Sequence, residues 1–411
     1  MKIAYIVPYV PNKIRTRPYN LINHLSKLGH DVVLFTLGSG ESDFADAEHM
    51  KTVCKQVHYC VQPTWRSLLN CVVASPSQKP LQSVYSWNQG FAKQLKNIIE
   101  LRDEASGFDV IHVEHLRGSE YGVFLKSIFP NVPIVWDSVD SISHLFEQAV
   151  SQSSSLFGKA IMRFELKRTQ NTEGYLVGRF DHVLVTSATD KDALLRLVPA
   201  GKRSAPISVL SNGVDLNYFQ PDRTVQKEPE TIVFSGKMSY HANISMMKYF
   251  VAEIMPKIWK QRPTTHLVIV GKDPSADVKN LANNPLITVT GTVNDIRPFL
   301  WKATVAVAPL VYGAGIQNKI LEAMATGTPV VTTSKAISAL QTVPGKDIII
   351  ADTSDDFSLE VLHLMENQDF RQGIAASGLR YVRNYHNWAM VSNQLLERYE
   401  ETISMVRSRL L

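Results

Sequence analysis

Short apolar runs alternate with helix-like periods along the whole chain. In the first half, five runs of strand length are rich in β-branched and aromatic residues: Ile3–Val7, Asp31–Thr36, Asp109–Val113, Pro133–Trp136 and His182–Thr186. Between the first two runs, Leu21, Leu25 and Leu28 recur at helical spacing. Gly29 follows them as a C-terminal stop. The alternation predicts β-α-β units and a parallel sheet.

The pattern starts again after the Pro-containing stretch 199–206. Seven further runs follow: Ile207–Leu210, Thr231–Phe234, His266–Val270, Ile287–Val289, Val305–Pro309, Pro329–Thr332 and Ile348–Ile350. The two halves predict two doubly wound, Rossmann-like α/β domains with parallel sheets that face a cleft, over residues 1–205 and 206–386. Residues 387–411 have a helical period and are predicted to form a helix that returns to the first domain. The segment Cys60–Gln89 shows no clear period and is predicted to be an irregular insertion.

Composition excludes several classes of protein. The 411 residues are 45% hydrophobic and 20% charged, which is typical of a globular chain. The net charge of +5 is too small to indicate nucleic acid binding. Cys54, Cys60 and Cys71 lack metal-site spacing, so reduced thiols are expected. No run approaches the roughly 18 consecutive apolar residues of a membrane span, so a cytoplasmic protein is expected, with peripheral membrane contact left open.

Glycine and lysine follow the strands of the second half. Open α/β sheets bind ligands beyond the carboxyl ends of their strands. There the chain has Gly236-Lys237, Gly271-Lys272, Gly291 and the glycine loop 313–315. Glycine permits close approach of the backbone, and lysine adds positive charge. These strand ends predict an anion-binding cleft.

The segment 312–331 is the most informative part of the chain. It has the pattern of a glycine loop, a helix and a strand, and the helix is predicted to begin near Gln317. Free amides of the loop and first turn then face phosphate oxygens, from Gly315, Ile316, Gln317 and Asn318. Lys319 adds charge, and Glu322, one turn on, accepts hydrogen bonds from vicinal hydroxyls such as a ribose diol. Phosphate and ribose together indicate a nucleotide.

Two segments carry a family resemblance: Glu322-Ala323-Met324-Ala325-x-Gly327-x-Pro329-Val330-Val331 and Ser211-Asn212-Gly213-Val214-Asp215-x-x-x-Phe219-x-Pro221. Together with Tyr385-x-x-Trp388, they resemble the GT-B-fold retaining glycosyltransferases of family 4, most closely those of exopolysaccharide assembly. The resemblance implies a hexosyltransferase. Its donor is a UDP- or GDP-linked sugar bound by the second domain. Its acceptor is a glycan, a lipid-linked molecule or a small molecule bound by the first.

The resemblance also implies a mechanism without a metal or other cofactor. The acceptor hydroxyl attacks the face from which the diphosphate leaves, and the configuration of the sugar is retained. Charge on the leaving group is stabilised by Lys237, beside Gly236, and by helix-terminal amides. The turn at Asn212 lies near the donor, and backbone groups at Val293 meet the base.

On the acceptor side, the family position of a histidine near the transferred sugar falls at Glu114 and His115. Arg15 and Arg17 stand where the family has a glycine loop, and we expect them to pair with a phosphate of the donor or of an anionic acceptor. A solvated basic loop is the alternative. Asp137 and Asp140, after the fourth run, are predicted to cap a helix.

The chain departs from the family pattern at two points in the second half. Ala314 replaces the first glutamate of a Glu-x7-Glu pair, of which Glu322 remains. The second basic residue of a Gly-Arg-x5-Lys pattern would fall near Ala242, which leaves Lys319 or Lys272 as a substitute. The triplet 190–192, Asp-Lys-Asp, is predicted to begin a capped helix and not to bind metal.

Two alternatives remain open. A nucleotide-sugar 2-epimerase shares the fold, although the motif at Glu322 argues against it. A non-catalytic nucleotide-sugar-binding homologue is suggested by Ala314, whereas Lys237, Lys319 and Glu322 favour a working donor site. A dehydrogenase is rejected because no G-x-G-x-x-G opens a helix.

Overall fold

The chain folds into two compact units, each with its own parallel sheet. The computed structural model describes residues 1–100, 107–152, 156–202, 204–311 and 318–409. Unit 1 comprises Met1–Ser211 and Trp388–Leu411, and unit 2 comprises Asn212–Asn387. Within the described residues, no helix combines the length and apolar character needed to cross a bilayer.

The sheet of unit 1 has seven parallel strands in the order β3-β2-β1-β4-β5-β6-β7. They are β1 Lys2–Val7, β2 Asp31–Gly38, β3 Gln56–Val61, β4 Val110–Glu114, β5 Ile134–Val139, β6 His182–Val185 and β7 Ile207–Val209. The central strands read as nearly continuous apolar runs because helices cover both faces. Ile3–Val7, for example, is completely buried.

Ten helices belong to the described part of unit 1. They are α1 Thr16–Lys27, α2 Glu41–Met50, α3 Thr64–Ala74, α4 Leu81–Tyr85, α5 Gln89–Glu100, α6 His115–Ile128, α7 Ile142–Gln152, α8 Leu156–Arg179, α9 Ala188–Arg196 and, after unit 2, α17 Trp388–Ser408. Phe91, Tyr121 and Trp136 lie in the core on one face of the sheet. On the other face, Leu21 of α1 packs in one core cluster with Tyr399 of α17.

Unit 2 has six parallel strands in the order β10-β9-β8-β11-β12-β13. They are β8 Thr231–Ser235, β9 His266–Val270, β10 Ile287–Val289, β11 Val305–Ala308, β12 Val330–Thr332 and β13 Ile349–Ile350. The helices are α10 His241–Tyr249, α11 Met255–Gln261, α12 Ala276–Asn280, α13 Arg297–Lys302, α14 Asn318–Ala325, α15 Ser354–Glu366 and α16 Gln368–Tyr385. Phe234, Met246 and Phe250 are fully or almost fully buried in one continuous core.

The structure corrects three predictions about organisation. The run at Ile207 belongs to the first sheet, since it pairs with Val183 of β6, so the first unit extends past residue 205. Strand β3 was missed; it forms one edge of the sheet, and its side chains are half-buried or exposed. The segment Cys60–Gln89 is not an irregular insertion, because it contains α3 and α4.

Capping of helices was predicted with mixed success. The triplet 190–192 lies in the first turns of α9, and Ser187 Oγ accepts a hydrogen bond from the Asp190 amide at 3.0 Å, which confirms a capped helix start. Asp140 does not cap α7. The amides of Ile142 and Ser143 instead donate to the buried carboxylate of Glu173, at 2.7 and 3.3 Å. Cys54, Cys60 and Cys71 are free, as predicted.

Candidate functional site

Two glycines bring the ends of β8 and β9 into backbone contact. The amide of Gly236 donates to the Val270 carbonyl at 3.1 Å, and a Cβ on Gly271 would lie 1.8 Å from the Gly236 oxygen. Both glycines have positive φ, at +150° and +147°, which a side chain would strain. At the carboxyl edge of this sheet, bare backbone is therefore presented to a ligand.

Lys319 of α14 reaches the same place. Its Nζ donates to Asn243 Oδ1 at 2.7 Å and lies 4.9 Å from the centre of the Phe234 ring. Its Cε is 3.4 Å from the position a Cβ on Gly236 would take. Asn243 is next to Ala242, where the family places its second basic residue, and Ala242 itself is buried in the core. The ammonium of Lys319, which is carried by α14, thus lies near the position that the family pattern gives to its second basic residue.

Asn243 is a residue that the sequence analysis missed. Its side chain is buried, and its Nδ2 donates to the Lys237 carbonyl at 2.9 Å while Oδ1 accepts from Lys319. One amide therefore links the loop after β8 to α14. The side chain of Lys237 is exposed beyond that loop, so it is free to approach an anion. Lys272, on the neighbouring loop, is half-buried.

Glu322 lies one turn beyond Lys319 on α14. Burial raises the pKa of the Glu322 carboxyl to about 7, against the opposing effect of the Lys319 charge. Burial lowers the pKa of Lys319 to about 8, and the charge of Glu322 opposes that shift. Both groups are charged together only in a narrow range near neutral pH, a feature typical of binding and catalytic sites.

The turn at Asn212 is joined to the beginning of α14. Asn212 Nδ2 donates to Asn318 Oδ1 at 3.4 Å. The Asn212 carbonyl lies 2.8 Å from His386 Nδ1, and His386 Nε2 lies 3.0 Å from the Tyr381 hydroxyl. Asn212 and His386, from two segments of the family resemblance, therefore meet in unit 2.

The remaining donor-site predictions have different outcomes. Val293 is half-buried and packs against the unit 2 core. Gly315, Ile316, Gln317 and Ala314 lie outside the described residues. No group of three or more histidine, cysteine, aspartate or glutamate side chains suited to a metal ion occurs in the described part of the chain.

In unit 1, Arg17 is part of the core and not of an exposed loop. Its Nε donates to Asp137 Oδ2 at 2.9 Å, and its Nη1 donates to the Leu210 carbonyl at 3.0 Å. Both side chains of the ion pair are almost completely buried. The prediction that Arg17 pairs with a substrate phosphate is therefore wrong for this structure, and so is the prediction that Asp137 caps a helix.

Glu114 is also inside unit 1. Its two carboxyl oxygens accept hydrogen bonds from Tyr9 at 2.6 Å and from Tyr5 at 3.3 Å, and the residue has no exposed surface. Burial, assisted by the charge of Asp137, raises the pKa of Glu114 to about 8. The predicted catalytic contact of Glu114 with a substrate does not fit this structure, in which the carboxyl is fully buried and is hydrogen-bonded to Tyr5 and Tyr9.

His115 begins α6 with an unfavourable backbone conformation. Its φ is +64°. A positive φ is rare for a residue other than glycine, and residues with such strained backbone cluster at functional sites. Its carbonyl accepts from Trp136 Nε1 at 3.4 Å, and its ring is half-buried. Burial, assisted by the Arg117 charge, lowers the pKa of His115 to about 4, so the imidazole is neutral. A neutral imidazole has one N–H donor and one acceptor nitrogen. Nδ1 accepts from the Arg117 amide at 3.4 Å, so Nε2 carries the donor.

A cavity of about 170 Å³ opens at the carboxyl ends of the first four strands of unit 1. Its lining is mostly polar: Pro8, Tyr9, Arg15, Leu37, Gly38, Ser39, Asp43, Gln62, Thr64, Ser67, Tyr85, Ser86 and Arg117. Asn88, which is buried, donates to Gln62 Oε1 at 3.0 Å, and Gln62 donates to Ser67 Oγ at 3.2 Å. Hydroxyls and amides held in this way suit the hydroxyl groups of a sugar.

Two arginines line this cavity, and only one of them was predicted. Arg15 donates to Asp43 Oδ1 at 3.2 Å and lies over the Tyr9 ring. Arg117 lies 5.0 Å from the centre of the Tyr85 ring, and its buried Nε has no hydrogen-bond partner among the described residues. Arg117 could have been found from its position just after β4. The same argument from position had been applied only to Glu114 and His115.

Two family models match the chain. Glycosyltransferase Family 4 covers residues 15–218, and Glycosyl transferases group 1 covers residues 229–367. Together they span most of the protein, so the chain belongs to the family 4 glycosyltransferases and is an enzyme of that class with the GT-B fold.

Individual similarities are distant but extensive. An uncharacterized 44.6 kDa protein in the cps region of Klebsiella pneumoniae is 20% identical, over 90% of this chain and 91% of that protein. Sucrose-phosphate synthase of Thermosynechococcus elongatus has a TM-score of 0.72 at 17% identity, over 98% and 100% of the two chains. Anabaena HepE, solved in complex with UDP-glucose, has a TM-score of 0.68 at 14% identity, with the same coverage.

Proposed function

We propose that the protein is a retaining hexosyltransferase that uses a nucleotide-diphosphate sugar and no metal ion. The observation that carries the proposal is in unit 2, where the ammonium of Lys319 lies beside the paired glycine turns. Glu322 lies one turn further along the same helix. Positive charge next to bare backbone suits a diphosphate, and a carboxylate one turn away suits a ribose diol.

The chemical step is a front-face displacement. The acceptor hydroxyl forms a bond to the anomeric carbon on the face from which the diphosphate departs, and the bond from that carbon to the phosphate oxygen breaks. The hydroxyl proton passes to the departing phosphate, so no protein base is required. Lys237 and Lys319 stabilise the charge that develops on the leaving group, the role that a divalent ion plays elsewhere.

The donor is UDP- or GDP-linked, and UDP-glucose is the first compound to test. The complex of Anabaena HepE with UDP-glucose, on a similar fold, supports that choice. The backbone near Val293 meets the base, which is why the side chains there do not determine the nucleotide.

The acceptor is a glycan, a lipid-linked molecule or a small molecule held by unit 1. The cavity lined by Arg15 and Arg117 offers hydroxyl-binding groups and positive charge, and His115 lies two residues from Arg117. The similar protein in a cps region supports a role in polysaccharide biosynthesis.

A panel of nucleotide sugars tests the function. The true donor should raise Tm by mass action, whereas unrelated nucleotide sugars should not. The stabilising donor is then incubated with and without acceptor, and the products are analysed. A transferred sugar with retained configuration supports the proposal, an epimerised donor indicates the 2-epimerase, and binding without reaction indicates the non-catalytic homologue.

Donor affinity should depend on pH through Glu322 and Lys319. With pKa values of about 7 and about 8, both groups are charged between these limits. Protonation of Glu322 below pH 7 removes an acceptor for the diol, and deprotonation of Lys319 above pH 8 removes a charge from the diphosphate site. We expect calorimetric titration to show the tightest donor binding between the two values.

Two variants separate the limbs of this profile. Glu322→Gln should abolish the loss of affinity at low pH, and Lys319→Arg should preserve affinity at high pH because arginine stays charged. A profile that both variants leave unchanged would assign the pH dependence to other groups.

A further inference from the structure

Helix α3 turns its apolar side toward solvent. Trp65, Leu68, Leu69, Val72 and Val73 are between 51% and 70% exposed. They recur at the spacing i, i+3, i+4, i+7 and i+8, which places them on one face of a helix. We call these five residues the α3 face. A surface helix of a globular protein normally turns its polar residues toward solvent and its apolar residues toward the core. The orientation of α3 is the opposite.

The inner side of α3 shows that this orientation is specific. Asn70 donates to the carbonyls of Val84 and Trp87 at 3.0 and 2.8 Å, and Ser67 is buried in the hydrogen-bond network of the cavity. Rotation of the helix to bury its apolar side would break these hydrogen bonds. The polar residues therefore hold the apolar ones outside.

Phe164 of α8 extends the apolar surface. It is 56% exposed and lies under the Arg168 guanidinium, which is 3.9 Å from the ring centre. Arg168 also donates to the carbonyl of Ser75, the residue that ends α3. Large exposed patches of this kind mark contacts with proteins or membranes.

The chain segment that contains α3 carries an excess of basic residues. Residues 49–99 contain no aspartate or glutamate and six cations: Lys51, Lys55, Arg66, Lys79, Lys93 and Lys96. On α8, Arg163 and Lys167 are exposed on either side of Phe164. Four of the six cations pair with acids that lie outside the segment: Lys51 with Glu48, Lys55 with Asp31, Lys79 with Glu120 and Lys96 with Glu100. On α8, Arg168 pairs with Glu165 at 3.1 Å. The cations that carry the docking argument are therefore Arg66, on α3 itself, and Arg163 and Lys167, beside Phe164.

We propose that the α3 face docks on an anionic bilayer surface. An interfacial helix places leucine, valine and tryptophan at the boundary of headgroups and acyl chains, while nearby cations bind anionic headgroups. A second copy of the chain fits less well, because a two-fold contact puts the same patch on both sides and so places like charges together.

The docking surface and the candidate acceptor cavity share one helix. Thr64 and Ser67 line the cavity, while Trp65 and Leu68 belong to the α3 face. This conclusion rests on the proposed function. A glycosyltransferase docked in this way meets its acceptors at the bilayer. The lipid-linked class is therefore favoured over the free glycan and the small molecule.

Vesicle flotation tests the docking. The full chain is mixed with phosphatidylcholine vesicles that contain or lack phosphatidylglycerol. Binding is expected with the anionic lipid and should weaken as salt screens the charges. The double variant Leu68→Glu, Val72→Glu should lower the bound fraction at least about tenfold, since two apolar contacts are replaced by charges that anionic headgroups repel.

A matched control is available on unit 2. Leu359 of α15 is 57% exposed, so Leu359→Glu makes the same replacement as Leu68→Glu on another surface and should leave vesicle binding unchanged. The Tm of each variant and its shift with the donor should match the parent, because the changed side chains are exposed. A donor shift retained in all variants keeps this test separate from failure of the proposed function.

Four results would overturn the proposal. The parent fails to float with anionic vesicles, or the double variant floats as well as the parent. The third is a dimer, detected by light scattering, that is dissociated by the double variant Leu68→Glu, Val72→Glu. That result would make the α3 face an interface between copies of the chain. Equally tight binding to vesicles of phosphatidylcholine alone would show that the anionic headgroup is not required, which contradicts the proposal of an anionic bilayer surface.

Discussion

Replacement of Lys237 by alanine is expected to lower kcat by about two to three orders of magnitude. Lys237 is exposed beside the glycine turn at Gly236. In the proposed mechanism, its ammonium meets charge that develops only as the diphosphate leaves. Because the interaction strengthens in the transition state, kcat should fall more than donor affinity. Steady-state kinetics with the preferred donor and acceptor measure both quantities.

Lys272→Ala is the control, since Lys272 follows the adjacent strand at a comparable position. It should change kcat by less than tenfold. Lys319→Ala gives the informative comparison. If Lys237→Ala has a mild effect and Lys319→Ala a severe one, stabilisation of the leaving group belongs to the lysine held by Asn243, and the assignment to Lys237 is wrong.

Replacement of Arg17 by alanine is expected to destabilise unit 1 by about 3–5 kcal/mol, the cost of leaving a buried charge unpaired. Asp137 would lose a partner at 2.8 Å, and the Leu210 carbonyl would lose a hydrogen bond. Urea unfolding at neutral pH measures the change in the free energy of unfolding.

Arg15→Ala is the matched control, two residues earlier in the chain. The Arg15 side chain is 38% exposed, and its ion pair with Asp43 contributes at most about 1 kcal/mol. Its loss should alter the KM of an anionic acceptor more than stability. If Arg17→Ala keeps full stability and instead weakens phosphate binding, the core role of Arg17 is wrong. The double variant Arg17→Met, Asp137→Leu should recover most of the stability, because it removes both charges.

The prediction of strands succeeded where burial imposes an apolar run. β1 and β8 lie in the middle of their sheets, and their sequences show this directly. β3 was missed because the side chains of an edge strand are half-exposed, so its sequence need not be a continuous apolar run. α3 was missed although its apolar residues recur at helical spacing, so that signal was present in the sequence and was overlooked. Only the direction in which the helix faces required the tertiary structure.

The relative position of the two charged residues of the proposed donor site was also predictable. Lys319 and Glu322 lie on one helix three residues apart, so a local pattern determines their relation. The partner of Lys319 was not predictable. Asn243 is 76 residues away along the chain, and only the packing of α14 against the loop after β8 brings the two together.

The sequence by itself determined the family and the two parallel sheets, and it placed the lysine and glutamate of the proposed donor motif on one helix, because these depend on local periodicity and on short motifs. Only the tertiary structure decided which of the two arginines is buried. Arg15 precedes α1 with a non-helical backbone, at φ −89° and ψ 67°, and its side chain stays 38% exposed. Arg17 lies in the first turn of α1, enters the core and meets Asp137. Arg117, 102 residues beyond Arg15, joins it at the cavity because the carboxyl ends of parallel strands share one edge.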